Sequence, residues 1–397
     1  MSASLRILYH HRIRADDGQA VHVRELIGAL RAAGHQVHEC ALVQKTTPAA
    51  ALPAKGRGRG GFWQRLRLPR TAVECLEVAY NRRGRAMLRA AAAAFAPDLI
   101  YERHALHCRA GLDVARELGV PLLLEVNSPM VEEMQSLGLL RLPKRAAATE
   151  RAVLGGADAV LAVTQVLADM LVARGARRDR VHVIQNGAVL ERYDATARAA
   201  AVELRGRQHW PAPAFVLGFV GYVRPWHRLD LVFEAMQRPG FEQLCLWLCG
   251  RGPALADLQA LAAARGLTDR VRFAGEVPPD LLPTFVCAFD AALVPAINAY
   301  SSPLKLFDSL AAGVPTLAPD QPNLREVVTD GAEAVLFQPG SADALAAAIQ
   351  RLLGDPSLAR RIGAAGRQSL IDHQRTWAGN AARVATIGSR LSRRPGR

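Results

Sequence analysis

The stretch YSSPLKLFDSLAAGVPTLAP, residues 300–319, reads as an amphipathic helix followed by a short strand. Its apolar side chains recur at helical spacing, which is typical of a helix packed on a core. They are Leu304, Leu306, Phe307, Leu310 and Ala311. Such helices, alternating with short apolar strands, predict a parallel sheet that is covered on both faces.

Two charged residues interrupt this apolar run, Lys305 in the first turn and Asp308 three positions later. A lysine near the start of a helix opposes the macrodipole, so we expect a negative group beside it. Ser301 or Ser302 is predicted to cap the helix, with Pro303 as its first residue, and the N–H groups at such a start bind anions. A diphosphate would offset the lysine charge, and Asp308 could accept hydrogen bonds from a ribose. The alternative is an exposed Lys305–Asp308 pair, which stabilises a helix by only ~0.3 kcal/mol.

The alternation of strand and helix continues outward from this stretch in two series of predicted strands. The first series comprises residues 5–10, 37–43, 98–101, 121–126, 159–163 and 181–184. The second comprises residues 215–221, 244–250, 270–275, 291–295, 315–319 and 334–337. We therefore predict an α/β fold of two doubly wound, Rossmann-like domains that face each other across a cleft, with the ligand at the carboxyl ends of the strands.

The predicted boundaries follow from this repetition. The first domain spans residues 1–195, and residues 196–213 form a linker with two prolines before the next strand. The second domain spans residues 214–375, and a final helix at about 376–397 is expected to pack back on the first domain.

A second polar stretch, FVGYVRPWHRLDLVFEAM (219–236), follows the first strand of the second series. Gly221 lies at the end of that strand, where a missing side chain lets the backbone approach a ligand. Arg224 and His227 in the following loop are candidate phosphate partners. The alternative is a polar surface loop with an exposed tryptophan.

The amino-acid composition limits the classes to which this protein can belong. The chain has 397 residues, half of them hydrophobic, which is ample for two buried cores. It contains no apolar run of 18 or more residues and no long apolar segment near the N-terminus, so neither a transmembrane helix nor a signal peptide is expected. The six scattered cysteines are expected to be buried free thiols in a cytoplasmic protein, and no sequence motif for a metal is present.

The net charge of +14 is concentrated in a few places. Residues 55–89 hold ten lysines and arginines against two glutamates, together with Phe62, Trp63, Leu66 and Leu68. Basic residues beside aromatic and aliphatic ones favour peripheral contact with an anionic membrane surface. Nucleic acid is the competing partner, and we place it second because no nucleic-acid-binding motif accompanies the charge.

Three stretches in the second half resemble, in order, the donor-binding domain of glycosyltransferase family 4, retaining enzymes of the GT-B fold. They are FVGYVRPWHRLDLVFEA, LWLCGRGPALADLQALAAARGLTDRVRFAGEVPPDLLPTFVCAFDAALVP and SSPLKLFDSLAAGVPTLAPDQPNLREVVTDGAEAVLF. The first half is similar more loosely, through GQAVHVRELIGALRAAGHQV, APDLIYERH, PLLLEVNSP, ADAVLAVT and VHVIQNGAVLERY. The resemblance covers nearly the whole chain.

This resemblance implies roles for particular residues. Gly18 would lie in the loop near the donor phosphates, and Asp308 would hold the ribose in place of the family's usual glutamate. The donor side would also include a set of residues at strand ends and before the helix, namely Gly221, Arg224, Gly250, Gly252, Glu276, Val277, Tyr300, Ser301, Ser302 and Leu304.

The chain departs from the family pattern at four positions. The first acid of the family's paired-glutamate motif is replaced by Tyr300, and the usual phosphate-binding arginine and lysine fall at Tyr222 and His227. The histidine that usually lines the sugar site falls at Asn127. We therefore expect Lys305, with His227 and Asn127, to perform the catalytic work, and Lys305 to stabilise the departing diphosphate.

The resemblance implies a retaining glycosyltransferase that uses a nucleoside diphosphate sugar, needs no metal and acts on a glycan or lipid-linked acceptor at the cytoplasmic face of a membrane. Acceptor-side candidates are Glu132, Glu133, Arg103 and His104. One alternative is another two-domain sugar-nucleotide enzyme of the epimerase type. The other is a non-catalytic basic binding protein.

Overall fold

The computed structural model describes residues 4–15, 17–46 and 69–392. The chain divides into two compact units, Met1–Gln185 with Trp377–Arg397, and Asn186–Thr376. Each unit is a six-stranded parallel sheet with helices packed against it, and all twelve predicted strands are present to within a few residues. The predicted α/β class with two doubly wound domains is confirmed.

The first unit is built on a sheet with the strand order β2-β1-β3-β4-β5-β6. Its strands are β1 (Arg6–His11), β2 (Gln36–Ala41), β3 (Leu99–Arg103), β4 (Leu122–Val126), β5 (Ala159–Ala162) and β6 (Val181–Val183). Its helices are α1 (Gly18–Ala32), α2 (Arg70–Phe95), α3 (Ala110–Leu118), α4 (Met130–Ser136), α5 (Pro143–Gly156), α6 (Gln165–Ala173) and, from the far end of the chain, α15 (Trp377–Ser392).

The second unit has the strand order β12-β11-β10-β7-β8-β9. Its strands are β7 (Phe215–Val220), β8 (Leu244–Cys249), β9 (Val271–Gly275), β10 (Ala291–Leu293), β11 (Thr316–Pro319) and β12 (Val335–Phe337). Its helices are α7 (Ala195–Gly206), α8 (Asp230–Met236), α9 (Leu255–Ala264), α10 (Leu282–Cys287), α11 (Leu304–Ala312), α12 (Pro322–Arg325), α13 (Ala342–Gly354) and α14 (Pro356–Asp372).

The strand order of the second sheet reverses between β7 and β10, which are hydrogen-bonded neighbours. The chain leaves these two strands toward opposite sides, so a crevice forms beyond their carboxyl ends. Both predicted polar stretches follow these strands, one directly after β7 and the other between β10 and α11. The sequence therefore brings its two polar stretches to the place where doubly wound sheets bind ligands.

The strands are apolar on both faces because helices cover both sides of the sheet. All six residues of β8, LCLWLC, are buried, and they alternate between two apolar clusters. Leu246 packs into one cluster, whereas Trp247 packs into the other against the rings of Phe285 and Phe289 at 5.2 and 5.9 Å. A nearly continuous apolar strand is what a parallel sheet of this kind requires.

The boundary between the units differs from the predicted one. The second unit begins at Asn186, and most of the predicted linker 196–213 is helix α7, which packs against α10. The Arg205 guanidinium donates to Asp290 Oδ2 at 2.6 Å, and that of Arg198 donates to the Ala312 carbonyl at 2.8 Å. The prolines before β7 suggested a linker, but these tertiary contacts incorporate the segment into the second unit.

The last helix, α15, belongs to the first unit, where it packs against α1. Trp377 makes an edge contact with His22 at 4.9 Å, and the Asn380 side chain donates to the Gln185 carbonyl at 2.8 Å. No helix within the described ranges is long and apolar enough to cross a bilayer.

Two glycines after β8 allow the loops at the carboxyl edge of the second sheet to meet. A Cβ atom on Gly250 would lie 1.8 Å from the Gly221 carbonyl oxygen, and one on Gly252 would lie 2.0 Å from that of Val223. The backbone pairing of the strands continues into these loops, through Gly221 N–H to Cys249 O at 2.9 Å and Val223 N–H to Arg251 O at 2.8 Å. Any side chain at 250 or 252 would separate the two loops.

We predict that Gly252→Ala destabilises the protein, because its methyl group would overlap the backbone of Val223. Overpacking of this kind typically costs about 2 kcal/mol, which corresponds to a fall in Tm of about 4–8 °C for a domain of this size. Gly28→Ala is the matched control, because Gly28 lies in α1 and no atom beyond the adjacent residues and the helix's own backbone lies within 4 Å of the point where its methyl group would stand. That change should raise stability by about 0.5–1 kcal/mol. Equal melting curves for the two variants would contradict the assignment.

Candidate functional site

Lys305 lies in the first turn of α11 and reaches the carboxyl end of β7. Its Nζ atom is 4.1 Å from the centroid of the Phe219 ring and 3.2 Å from where a Cβ atom on Gly221 would stand. Among the described residues, no carboxylate lies within 4.0 Å of this ammonium group, so the alternative of an exposed Lys305–Asp308 ion pair is wrong. The aromatic ring is a weak partner for a cation compared with an anion.

Burial lowers the pKa of Lys305 to about 7. The side chain is partly buried beside an aromatic ring, and desolvation disfavours its charged form. An anion bound next to Nζ would reverse this shift, because it favours the protonated amine. The group is therefore poised to gain or lose its charge according to what occupies the site.

The start of α11 differs from the prediction, because neither serine caps the helix. The helix begins at Leu304, and Pro303 stands at the cap position, with no side-chain hydrogen bond. Ser302 is instead held by Asn186, whose N–H donates to the Ser302 hydroxyl at 3.2 Å and whose side chain donates to the Ser302 carbonyl at 2.6 Å. The segment before the helix is thus fixed by tertiary contacts and not by capping.

A second asparagine completes this support. Asn323 donates from its side chain to the Ser301 carbonyl at 2.6 Å and lies within 3.3 Å of the Asn298 carbonyl. The Asn298 side chain in turn donates to the Tyr300 hydroxyl at 2.9 Å. Residues 298–304 therefore reach α11 along a defined path.

Asp308 accepts a hydrogen bond from the Tyr193 hydroxyl at 2.8 Å. Tyr193 is buried, and burial together with the Asp308 charge raises the pKa of the phenol far above its usual value. The proton therefore stays on the tyrosine, which fixes the orientation of the carboxylate. Sequence reasoning missed Tyr193, although QNGAVLERY was among the segments that resemble the family.

The loop after β7 holds Arg224 between two exposed rings. Its guanidinium carbon is 4.8 Å from the centroid of Tyr222 and 4.7 Å from that of Trp226. Stacking on aromatic faces restricts a guanidinium and leaves its edges free to bind an anion. The tryptophan is exposed, as the sequence suggested, but it helps to position the arginine.

His227 follows in the same loop and is neutral. Burial, Lys305 and Arg224 together lower the pKa of His227 to about 3. The Arg224 N–H donates to His227 Nδ1 at 3.3 Å, so the ring proton resides on Nε2, which can donate to a ligand. His227 therefore offers a neutral hydrogen-bond donor at the position where the resemblance to the family implies a lysine.

The loops after β8 and β9 lie at the same edge of the sheet. Glu276, directly after β9, forms an exposed ion pair with Arg251 at 2.9 Å, and Val277 packs partly into an apolar cluster. Gly250 and Gly252 lie just after β8, so this edge of the sheet consists largely of backbone and small residues. Their roles as a pocket for a base stay a prediction.

In the first unit, Glu125 near the end of β4 accepts hydrogen bonds from four side chains and lies beside a histidine. Tyr9, Tyr101, Arg103 and Asn127 donate to its carboxylate, and His22 Nε2 lies 3.0 Å from Oε2. Burial alone would raise the pKa of Glu125, but His22 and Arg103 hold it well below its usual range. Arg103 and Asn127 are thereby connected through one buried carboxylate, a network that the sequence did not reveal.

Gly18 and His104 lie near the same edge of the first sheet. Gly18 is the first residue of α1, behind the cap residue Asp17, whose carboxylate accepts from the Gln19 N–H at 3.0 Å. His104 donates its backbone N–H to the Glu125 carbonyl at 2.8 Å. Burial lowers the pKa of His104 to about 4, so its ring is neutral.

Glu132 and Glu133 stand in the first turn of α4, where acids suit the helix dipole. Glu132 pairs with Arg174, which directly follows α6. The pairing supports a structural role for Glu132, and an acceptor role for either residue stays a prediction.

Three potential metal ligands come together in the first unit, although no sequence motif announced them. Atoms of His10, Glu102 and Cys108 lie within 4.8 Å of one another, and all three residues are buried. His10 Nδ1 lies 2.7 Å from Glu102 Oε1, and its Nε2 lies 2.9 Å from the Tyr80 hydroxyl. Both ring nitrogens are thus engaged in a hydrogen-bonded chain.

An open groove of about 560 Å³ in the second unit contains none of the predicted site residues. It is lined by residues around the start of β8 and β9, including Arg238, Glu242 and Arg270. The amino ends of these strands lie there, opposite the edge where open parallel sheets bind ligands. We therefore place the site at Lys305 and not in this groove.

Comparison with known proteins identifies the family. The model of "Glycosyl transferases group 1" matches residues 186–369, and that of "Glycosyltransferase Family 4" matches residues 17–192. The two matches meet where the second structural unit begins.

Curated relatives have related descriptions. A D-inositol 3-phosphate glycosyltransferase of Streptomyces avermitilis is 29% identical over 313 residues, covering 75% of this chain and 67% of the relative. A 2-deoxystreptamine glucosyltransferase of Streptomyces kanamyceticus is 29% identical over 66% of this chain and 69% of its own length.

Solved structures show the same fold. The sucrose-phosphate synthase of Thermosynechococcus elongatus has a TM-score of 0.74 at 23% identity, covering 97% of this chain and 99% of that one. Anabaena HepE, solved with UDP and glucose, has a TM-score of 0.68 at 17% identity, covering 98% of this chain and 100% of that one. With both family models matched and the fold confirmed, the chain belongs to the family 4-type glycosyltransferases of the GT-B fold and is an enzyme of glycosyl transfer.

Proposed function

We propose that this glycosyltransferase moves a sugar from a nucleoside diphosphate sugar, with retention at the anomeric carbon, to a glycan or lipid-linked acceptor. The observation that carries the proposal is the position of the Lys305 ammonium group at the sheet's switch point. An aromatic ring lies beside it, and no carboxylate of a described residue lies within 4.0 Å of it.

Diphosphate chemistry explains this arrangement. When the bond between the sugar and the diphosphate breaks, negative charge builds up on the departing oxygen. A cation already in place stabilises this charge without reorganisation, and it is worth more in a partly desolvated site than in water. Leaving such a cation without an anion destabilises the unliganded protein, which agrees with the lowered pKa of Lys305.

Neighbouring groups complete the proposed phosphate site. Arg224 is restricted by Tyr222 and Trp226, and His227 offers an Nε2–H donor. Together with Lys305 they supply two cations and one neutral donor, where the family's usual arginine and lysine are replaced by Tyr222 and His227. These charges stand in for a metal, so we propose that transfer needs none, and activity should survive treatment with EDTA.

The nucleotide is proposed to lie along the loops after β7, β8 and β9. Asp308, whose carboxylate is oriented by the Tyr193 hydroxyl, would accept a hydrogen bond from the ribose. Anabaena HepE was solved with UDP and with UDP-glucose, which makes a uridine donor the first one to test. A thermal-shift comparison of UDP, GDP and ADP decides the base, since a ligand at 100 times its Kd stabilises by about 2.7 kcal/mol.

The acceptor is proposed to be a glycan or lipid-linked sugar used in cell-surface polysaccharide or glycoconjugate synthesis. The basic segment 55–89 supports it, although residues 55–68 lie outside the described residues. Transfer of sugar to an added acceptor, as opposed to isomerisation of the free donor, separates this function from that of an epimerase.

The first prediction concerns the charge of Lys305. Lys305→Ala should lower kcat by about 10²–10³-fold, the range seen when one electrostatic stabiliser of a transition state is lost. Lys305→Arg keeps a cation and should retain much more activity. Steady-state kinetics on variants with matched melting temperatures make the measurement. Near wild-type kcat for Lys305→Ala would move the phosphate role to Arg224 and His227.

The second prediction concerns pH. Free Lys305 has a pKa of about 7, and the bound diphosphate favours its protonated form. Above pH 7 donor binding must therefore take up a proton, so affinity should fall as pH rises, by at most about tenfold per unit. His227 does not titrate in this range, because its pKa is about 3.

Calorimetric titration of a non-hydrolysable donor between about pH 6 and 9 measures this dependence. Lys305→Arg is the control, since an arginine stays protonated and its affinity should be flat across the range. A wild-type affinity that is equally flat would show that Lys305 does not contact the diphosphate.

The third prediction separates Asp308 from Lys305. Ribose contacts do not change during transfer, so Asp308→Ala should mainly raise the donor KM and leave kcat nearly unchanged. Tyr193→Phe removes only the hydrogen bond that orients Asp308, so its KM should rise less, by about three- to tenfold for a loss near 1 kcal/mol. A larger effect on kcat than on KM in Asp308→Ala would place this carboxylate at the reacting centre instead.

A further inference from the structure

We propose that the first unit binds the surface of an anionic lipid bilayer through a patch formed by the α4–α5 loop and the outer face of α2. We name it the leucine–cation patch, and its residues are Leu76, Arg82, Arg83, Leu137, Leu139, Arg141, Lys144 and Arg145. Binding is independent of catalysis. That it brings the enzyme to a lipid-linked acceptor rests on the proposed function.

Three leucines of the patch are exposed to solvent. The exposed fractions are 61% for Leu76, 64% for Leu137 and 42% for Leu139. Single exposed leucines are ordinary, but Leu137 and Leu139 lie in one loop close in sequence to three exposed cations, and such a grouping marks an interaction surface.

The loop that carries Leu137 and Leu139 is anchored to the start of α2. The Arg70 guanidinium donates to the Leu139 carbonyl at 2.7 Å, and Glu74 accepts from the N–H groups of Arg141 and Leu142 at 2.6 and 2.8 Å. Glu74 is buried, and these bonds hold its pKa below the usual value even though burial raises it. The loop therefore lies against the first two turns of α2, and it presents Leu137 and Leu139 outward on a fixed backbone.

The charges of the patch are uncompensated. Arg82, Arg83, Arg141, Lys144 and Arg145 are exposed, and none forms a side-chain ion pair with another described residue. Residues 134–149 contain three cations and no carboxylate.

Neighbouring arginines behave differently. Arg85 pairs with Asp113 at 2.9 Å, and Arg89 pairs with Glu117 at 2.7 Å. Positive charge is therefore left unpaired on the patch, although carboxylates neutralise it further along the same helix.

Leucines among unpaired cations fit an anionic bilayer better than they fit a nucleic acid. The cations are attracted to lipid phosphates, and the leucine side chains gain by entering the acyl boundary. A nucleic acid would bind the cations through its phosphates and stack its bases on aromatic rings, but it would make few favourable contacts with leucine side chains. Dependence on the leucines is thus the observation that distinguishes the two partners.

The test is co-sedimentation of the full-length enzyme with vesicles of phosphatidylcholine alone or with added phosphatidylglycerol. Wild type should bind only the anionic vesicles. Lys144→Ser with Arg145→Ser should weaken partitioning roughly 30-fold, since each cation near the surface contributes roughly fivefold. Leu137→Ser with Leu139→Ser should weaken it at least tenfold. Residues 55–68 stay intact in both variants, so the test isolates the patch.

Matched controls come from the second unit. Val202 and Leu281 are exposed by 75% and 47%, and Arg360 and Arg361 are exposed cations. The double variants Val202→Ser with Leu281→Ser, and Arg360→Ser with Arg361→Ser, should bind vesicles like wild type. Melting curves and transfer to a soluble acceptor check that each variant is folded, and these readouts should not change.

Cys75 supplies a second, direct readout. It is exposed and adjacent to Leu76, whereas the other five free cysteines are buried or partly buried, so the sequence-based expectation of buried thiols fails at this position. A polarity-sensitive dye on Cys75 should shift to shorter wavelength with anionic vesicles and stay unchanged with neutral ones.

Equal binding to neutral and anionic vesicles, or binding that survives the leucine changes, would overturn the proposal. Tight binding of RNA that ignores Leu137→Ser and Leu139→Ser, with no vesicle binding, would replace it with a nucleic-acid surface. If vesicle binding behaves as expected and no donor is turned over, the proposed function fails and this inference stands.

Discussion

The positive charge of Lys305 is the constraint on which the second unit's site depends. The ammonium group enters the carboxyl edge of a parallel sheet, where an aromatic ring meets it and no described carboxylate neutralises it. Burial of an unpaired charge is unfavourable unless something outside the protein offsets it. Gly221 leaves the necessary space, because any side chain there would meet the lysine. The fold thus carries a charge whose natural partner is a ligand.

Backbone geometry makes this arrangement possible. The loops after β7 and β8 are joined by hydrogen bonds at 2.8 and 2.9 Å, and they approach so closely that only glycine fits at 250 and 252. Asn186 and Asn323 fix the segment before α11 from the other side. The lysine is therefore positioned by rigid neighbours, which is the condition for electrostatic stabilisation without reorganisation.

Structural features that depend on the pattern of apolar residues were predictable from the sequence. Features that depend on contacts between residues distant in the chain were not. Apolar runs such as LCLWLC located all twelve strands, and the alternation with helices gave the class of fold. The predicted serine caps failed because Ser302 is bound by Asn186, which lies 116 positions away. The predicted linker failed for a similar reason, since Arg198 and Arg205 attach α7 to the second unit.

Residues of the proposed site were predictable from the sequence only in part. Lys305 and Asp308 were visible because charges inside an apolar helical run violate the local pattern, and such violations concentrate at functional sites. Tyr193 and Glu125 gave no such signal, because one is an ordinary aromatic residue and the other is an acid at a strand end. Their importance lies in partners that only the folded chain supplies.

The two units differ in how they satisfy a buried charge, and this difference is the basis for placing the proposed phosphate site in the second unit. In the first unit, Glu125 is surrounded by Arg103, His22, Asn127 and two tyrosines, so its charge is fully satisfied by the protein. A buried network in which every group is satisfied makes the surrounding structure rigid, so this network holds the geometry of the first unit. In the second unit, Lys305 has no comparable set of partners, and burial without them lowers its pKa. A charge that the protein leaves unsatisfied interacts most strongly with an arriving anion, which is why we propose that the second unit supplies the electrostatic stabilisation for bond breaking.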